Sequence, residues 1–277
     1  MAASVREGSG EELAQRFPGV DPARIAIGLL ADENGGLAFG REPFDSDVLG
    51  LEIGRIHELS ATGLPGYETL LDSLTGRARA LGYEQILRRV QVEAKEEIWA
   101  LERSGFLLMD VGVTFNRPAD SAFEAPAYDD LVVRLSVDAD VEYIVAHMLS
   151  TPWGSRYETD PTYAPQRVRE LRSRWLWNSH RGRATAMLIG VVDGVPAGYV
   201  TCLLRGSQGE IELVGTLPSF RGRGVASRLL EHARSWFSHR ASVVTVRTQA
   251  SNYAAARLYE KSGYTLGASD MTYRRAV

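Results

Sequence analysis

Strand-like and helical segments alternate through the second half of this chain, and no other feature limits its fold as much. Short apolar runs at residues 131–135, 184–192, 197–204, 210–217, 243–248 and 264–274 read as strands. Between them, residues 138–149, 166–178, 223–239 and 253–262 carry apolar side chains at helical spacing. Asp193-Gly194 is a hairpin turn between two of the strands. Hairpins mixed with helical crossovers imply an α/β (α+β) fold, a mixed and mostly antiparallel sheet flanked by helices.

The first half reads similarly. Residues 24–30, 48–56, 85–92 and 106–115 are strand-like. Residues 11–17, 67–81 and 94–104 are helical, the last two stopped by Gly82 and Gly105. The stretch 116–130 holds two prolines and three aspartates without a period, which predicts an interdomain linker. The expected division is therefore 1–118, a linker at 119–130, and 131–277. Residues 89–106 can be laid on 247–264 without a gap. Arg89, Gln91, Glu102, Arg103, Ser104, Gly105 and Phe106 then meet Arg247, Gln249, Glu260, Lys261, Ser262, Gly263 and Tyr264. A chance match is the alternative; internal duplication is the better explanation, and it would make the first half a diverged copy of the second.

Lys plus Arg number 31 against 35 Asp plus Glu, so no strongly basic face is implied, which argues against nucleic acid as the main partner. One cysteine, Cys202, excludes an internal disulfide framework and a Cys-rich zinc site. Within an apolar run, it reads as a buried strand residue. His57, His147, His180, His232 and His239 are scattered without ligand spacing, so no metal is expected. No run approaches the roughly 18 apolar residues of a membrane span, and no apolar leader opens the chain, so the expectation is a cytoplasmic protein.

The chemistry concentrates at Leu217-Pro-Ser-Phe-Arg221-Gly222-Arg223-Gly224-Val225-Ala226-Ser227-Arg228, which follows a strand and opens a helix. Gly222 and Gly224 permit positive φ and close backbone approach. The free amides of a helix N-terminus favour an anion, and Arg221 and Arg223 add cations suited to phosphate. A Walker loop would end in Gly-Lys-Ser/Thr, and a Rossmann fingerprint needs a different glycine spacing. A solvated Gly-rich turn is the alternative.

Arg221-x-x-Gly224-x-Ala226 resembles the pyrophosphate loop of the Gcn5-related N-acetyltransferase superfamily. Asn252-x-x-Ala255-x-x-Leu258-Tyr259-Glu260-Lys261-x-Gly263-Tyr264 resembles that superfamily's late helix. The resemblance covers about 131–277. It implies acetyl-CoA as acyl donor, with its pyrophosphate on the amides of Arg223, Gly224, Val225 and Ala226, and its pantetheine arm paired with backbone at Val214 and Thr216. It further implies that Asn252 contacts that arm and that Tyr259 protonates the departing thiolate, the alternative for Tyr259 being a core aromatic. The attacking amine must lose a proton, and Glu210 and Glu212 are candidate bases, with a water path or merely solvated glutamates as alternatives. In the internal alignment Asn252 meets Ala94 and Tyr259 meets Leu101, so the first half is expected not to use acetyl-CoA.

A diverged half before a competent one is similar to the TDP-fucosamine acetyltransferase family. Phe44-Asp-Ser-Asp-Val-Leu-Gly-Leu-Glu-Ile-Gly-Arg-Ile56 resembles its opening segment, although Leu49-Gly50 replaces the usual aromatic-Gly. Ser155-Arg156-Tyr157-Glu-Thr-Asp-Pro-Thr-Tyr163-Ala-Pro165 resembles its acceptor-side loop. This implies a nucleotide-linked amino sugar as acceptor, with Arg156, Tyr157 and Tyr163 touching it and Trp153, Trp175 and Trp177 offering stacking surfaces. Core packing is the alternative for these aromatics. Another small-molecule or peptide amine, or a non-catalytic CoA-binding sensor, are competing readings. The first half would complete the sheet, shape the acceptor pocket, or form a subunit contact in a homodimer.

Overall fold

The computed structural model describes residues 5–31, 35–148 and 154–277. Trp153, a stacking candidate, lies outside the described residues. In chain order the first elements are β1 (Arg6–Glu7), α1 (Gly10–Arg16), β2 (Ile27–Leu30), β3 (Gly36–Arg41), α2 (Pro43–Leu49), β4 (Ile53–Ser60), α3 (Gly63–Ala80), β5 (Gln85–Gln91), α4 (Lys95–Arg103) and β6 (Leu107–Pro118). Next come β7 (Val132–Leu135), α5 (Asp138–Met148), α6 (Arg156–Thr159), α7 (Pro165–Asn178), β8 (Ala186–Val192), β9 (Val195–Arg205), β10 (Gln208–Thr216), α8 (Val225–Phe237), β11 (Val243–Gln249), α9 (Tyr253–Lys261) and β12 (Thr265–Ala276). The mixed, largely antiparallel sheet with flanking helices is the architecture expected from the alternation.

Two compact units result, and neither is a continuous stretch of chain. Unit 1 contains Met1–Val111, Thr162–Arg167 and Ser269–Val277, and unit 2 contains Gly112–Pro161 and Val168–Ala268. In unit 1, β1 to β5 pair in chain order, and β5 then pairs antiparallel with the far end of β12, from Asp270↔Gln91 to Ala276↔Gln85. In unit 2, Gly112–Pro118 of β6 pairs antiparallel with β11, followed by β10, β9, β8 and β7. Among the described residues, β4 pairs parallel with β5 in unit 1 and β10 with β11 in unit 2.

Unit 1 buries Leu70, Leu71, Leu74 and Ala78 of α3 against Ile27, Phe39, Ile56, Ile86 and Tyr273. In unit 2 the apolar stripe of α8 (Val225, Leu229, Leu230, Ala233, Phe237) covers Val200, Cys202, Ile211 and Val246. On the other face, Val141, Ile144 and Leu176 cover Met187, Ile189 and Tyr199. Val200 and Tyr199 thus point to opposite layers, as successive strand residues must. Each fully buried leucine here contributes about 1.5–3 kcal/mol. Cys202 is buried, and burial pushes its thiol up from its ordinary value.

Three local expectations change. Val48 and Leu49, expected in a strand, close α2 instead: Pro43 sits in its first turn and Gly50 ends it at φ 73°. The strand begins only at Ile53. β3 was not legible, because Gly36 and Gly40 interrupt its apolar alternation; a Cβ at Gly40 would lie 1.8 Å from the Arg24 carbonyl oxygen. The linker-like stretch 119–130 lies outside helices but is fastened along α8. Asp120 accepts two bonds from Arg234 (2.7 and 2.8 Å), the Phe123 amide donates to Ser238 Oγ, and Arg228 donates to Asp130.

Candidate functional site

The site grows from one irregularity in β10. Ile211 faces Cys202 of β9, yet the next ladder pair is Val214↔Val200, so β10 carries one extra residue, a β-bulge. On its other side β10 pairs with β11 only from Gln208↔Val243 to Ile211↔Val246. Beyond the bulge the two strands part and leave a wedge.

Alternation then decides which backbone groups face that wedge. The Leu213 amide donates to Thr201 Oγ1 and the Leu217 amide to the Ala197 carbonyl, so odd positions turn towards β9. Val214 and Thr216 therefore turn their N–H and C=O groups to the opposite edge, away from β9. The Thr216 hydroxyl is enclosed and has no hydrogen-bond partner among the described residues. Gly215 has no side chain because the Tyr199 ring crosses it; a Cβ there would sit 2.7 Å from that ring.

After β10, Pro218–Phe220 makes a short 3-10 turn and the chain enters α8 through Gly222 (φ 75°) and Gly224 (φ 74°). These positive φ values are why glycine stands at both positions. Gly224 is the N-cap and supplies no side-chain cap bond, so the first amides of α8 are left to a ligand or water. Arg221 and Arg223 are exposed beside it, Arg223 lying over the Phe220 ring at 5.4 Å. Arg228 donates to the Arg223 carbonyl, which braces the corner. Val225 is buried in the core and Ala226 is half-buried on the first turn.

Asn252 caps α9. Its Oδ1 accepts from the Ala255 amide at 3.2 Å, and its Nδ2 donates to Thr248 Oγ1 at 3.1 Å. About two turns further on, Tyr259 is buried, with Phe115 and Tyr264 rings 5.8 and 6.2 Å from its own. Burial pushes its phenol up, so it keeps its proton at neutral pH. Tyr259, Val225, Ile211 and Val246 belong to one apolar cluster, with Val214 and Ala255 packed against it. The loop, the wedge and the phenol are thus tied to a single core.

Both glutamates are ion-paired. Glu210 meets Arg205 at 3.2 Å, and Glu212 accepts from Arg183, whose guanidinium that bond holds above its ordinary value. Tyr157 is buried, edge-on to Trp175 at 5.4 Å, and the Arg156 guanidinium lies 4.1 Å over the Tyr157 ring. Tyr163 is buried within unit 1, donating its hydroxyl to Gln85 Oε1 at 2.7 Å. Arg156 and Tyr157 are therefore brought together, while Tyr163 belongs to the other unit. The sequence reading missed Thr201, Tyr199 and Arg183. A lone threonine inside the apolar run of β9 was the available signal for Thr201.

Among the described residues, no group of three or more His, Cys, Asp or Glu is placed to hold a metal ion, and no helix is long and apolar enough to cross a membrane.

The acetyltransferase (GNAT) family model matches residues 145–264. An uncharacterized N-acetyltransferase of Archaeoglobus fulgidus is 30% identical over 105 residues, 35% of this chain and 71% of that protein. The spore coat polysaccharide biosynthesis protein SpsD of Bacillus subtilis is 31% identical over 112 residues, 40% of this chain but only 39% of SpsD. A tandem GNAT protein from the clavulanic acid biosynthesis pathway has the same fold, with a TM-score of 0.59 and 14% identity, over 96% of this chain and 87% of that one. The chain belongs to the acetyltransferase (GNAT) family, and it spans well under half the length of SpsD.

Proposed function

We propose that this protein moves an acetyl group from acetyl-CoA to a primary amine by direct attack, and that the amine is carried by a nucleotide-linked amino sugar. The observation that carries the first part is the wedge: two strand residues with main-chain groups turned outward, an enclosed threonine hydroxyl with no partner among the described residues, and a helix mouth without a side-chain cap alongside. These fit an extended amide-bearing arm that ends in a diphosphate.

An acyl-CoA supplies an activated thioester carbonyl. Val214 and Thr216 offer the arm an added-strand contact. Asn252 keeps one amide hydrogen for it while capping α9. The amides of Arg223 to Ala226, with the Arg221 and Arg223 guanidinium groups, hold the diphosphate. Tyr259 holds a proton for the leaving sulfur. Glu210, Glu212 or a water chain receives the proton lost by the amine.

The resemblance of residues 155–165 to the acceptor loop of amino-sugar acetyltransferases supports the sugar. So does the polysaccharide role printed in the name of SpsD. Arg156, half-buried against Tyr157, is the proposed phosphate contact on the acceptor. Unit 1, with Ala94 and Leu101 where unit 2 has Asn252 and Tyr259, is proposed to be non-catalytic. A thiol-release assay with acetyl-CoA and a panel of amines tests the whole. Turnover with TDP-4-amino sugars alone supports it. Turnover with peptides or amino acids redirects the acceptor, and CoA binding without any turnover leaves a sensor.

A further inference from the structure

The bulge that opens the wedge has a counterpart in unit 1, and the difference between the two singles out one residue. β4 pairs with β5 from Ile53↔Gln85 to Ile56↔Arg88, and β10 with β11 from Gln208↔Val243 to Ile211↔Val246. The strand partners differ by the same step throughout: 243 − 85 and 246 − 88 both give 158, the offset that also carries Arg89 onto Arg247. The neighbouring ladders match as well. Phe39↔Ile56 corresponds to Cys202↔Ile211, and Leu37↔Leu59 to Val200↔Val214, with the register shifted between them in both units. Ala38 therefore stands where Thr201 stands, and Glu58 where Leu213 stands.

At that one position the two units pair differently. In unit 1, Ala38 and Glu58 are ladder partners through their backbones. In unit 2 the ladder skips this pair, and a side chain takes its place. Thr201 Oγ1 accepts from the Leu213 amide at 2.8 Å and donates to the Leu213 carbonyl oxygen at 3.3 Å. One hydroxyl thus satisfies both main-chain groups of Leu213, the residue just before the stretch that faces the wedge. Thr201 is fully buried, so water cannot substitute for it.

We infer that Thr201 is a positioning residue for the acyl carrier: its hydroxyl spaces β10 from β9 at Leu213 and so aims the main-chain groups of Val214 and Thr216 into the wedge. An alanine or a valine at this position leaves Leu213 unsatisfied or draws it into the direct pairing seen in unit 1. Either outcome changes how the next three residues present themselves. Serine retains the hydroxyl and the spacing.

Calorimetric titration of CoA into the full-length protein and its Thr201→Val, Thr201→Ala and Thr201→Ser variants tests this, with amide hydrogen exchange across β10 as a second readout. The expected result is binding weakened about tenfold in the valine and alanine variants and within about twofold of wild type in the serine variant. Exchange should rise at Leu213 in the first two alone. Unchanged affinity in Thr201→Val and Thr201→Ala, or equal weakening in Thr201→Ser, overturns the inference. It rests on the cofactor reading of the wedge, and the two fail differently: wild-type protein that binds no CoA removes that reading, whereas normal binding by the valine and alanine variants removes only the role of Thr201.

Discussion

Arg88 and Glu97 form an ion pair at 2.5 Å with both side chains nearly buried, at the place where β4 and β5 part. Arg88 also donates to the carbonyl oxygens of Ile56 and His57. Val246 holds the matching position in unit 2 and leaves the strand edge open. Unit 1 therefore repeats the bulge and the parting strands, but at the parting the carbonyl oxygens of Ile56 and His57 are taken by its own guanidinium.

One CoA per chain is the expectation under the proposed function. Calorimetry should give a stoichiometry of one, and a second site of comparable affinity would contradict the proposal that unit 1 does not use the cofactor. Removing one partner, as in Arg88→Ala, leaves a buried carboxylate uncompensated and should cost about 3–5 kcal/mol. Urea unfolding of that variant measures the loss, and a change below about 1 kcal/mol would mean that water reaches the pair.

Tyr259→Phe keeps the ring between Phe115 and Tyr264 but removes the proposed proton donor. Turnover should fall roughly 10²-fold or more with CoA affinity unchanged. Wild-type turnover in this variant would reduce Tyr259 to a packing aromatic.

The double change Arg221→Ala, Arg223→Ala should weaken CoA about tenfold in low salt and less in high salt, because both cations are exposed and screened. Gly224→Ala should also weaken it, through a φ of 74° that costs an alanine about 1–2 kcal/mol. An unaltered affinity in both proteins would move the diphosphate elsewhere.

His57 makes stability depend on pH. Burial, with Arg24 nearby as the next cause, holds it below its ordinary value, and its Nε2 is enclosed without a partner among the described residues. A depressed folded value means that the unfolded chain takes up the proton first. The contribution is complete above about pH 6.5 and is lost as the pH falls through the lower folded value. The urea midpoint should drop between pH 7.5 and 5.5, and His57→Gln should flatten that drop. An equally steep drop in the variant would assign it to other groups such as His232, which burial also depresses.

Most of unit 2 was legible because its signals are local. The helical stripe of α8, the Asp193-Gly194 turn and the two glycines before Val225 each act over a few residues. So did the resemblance that singled out Asn252 and Tyr259. What stayed hidden depends on pairing across distance. No local pattern reveals that Thr201 sits opposite an extra residue in β10, or that Tyr199 forces a glycine at 215. β3 escaped because close approach to Arg24 replaced a side chain with Gly40, and the 119–130 stretch misled because its contacts lie about a hundred residues away along α8.

The membership of Ser269–Val277 in unit 1 bears on how the molecule is made. During synthesis the first hundred residues emerge early, yet β5 has no antiparallel neighbour on its open side until residues 269–277 have left the ribosome. That half must wait with an unsatisfied strand edge for most of translation, a state that invites aggregation. Cutting the gene within 119–130 would deprive unit 1 of its final strand, and two separately expressed pieces should become soluble only when produced in the same cell.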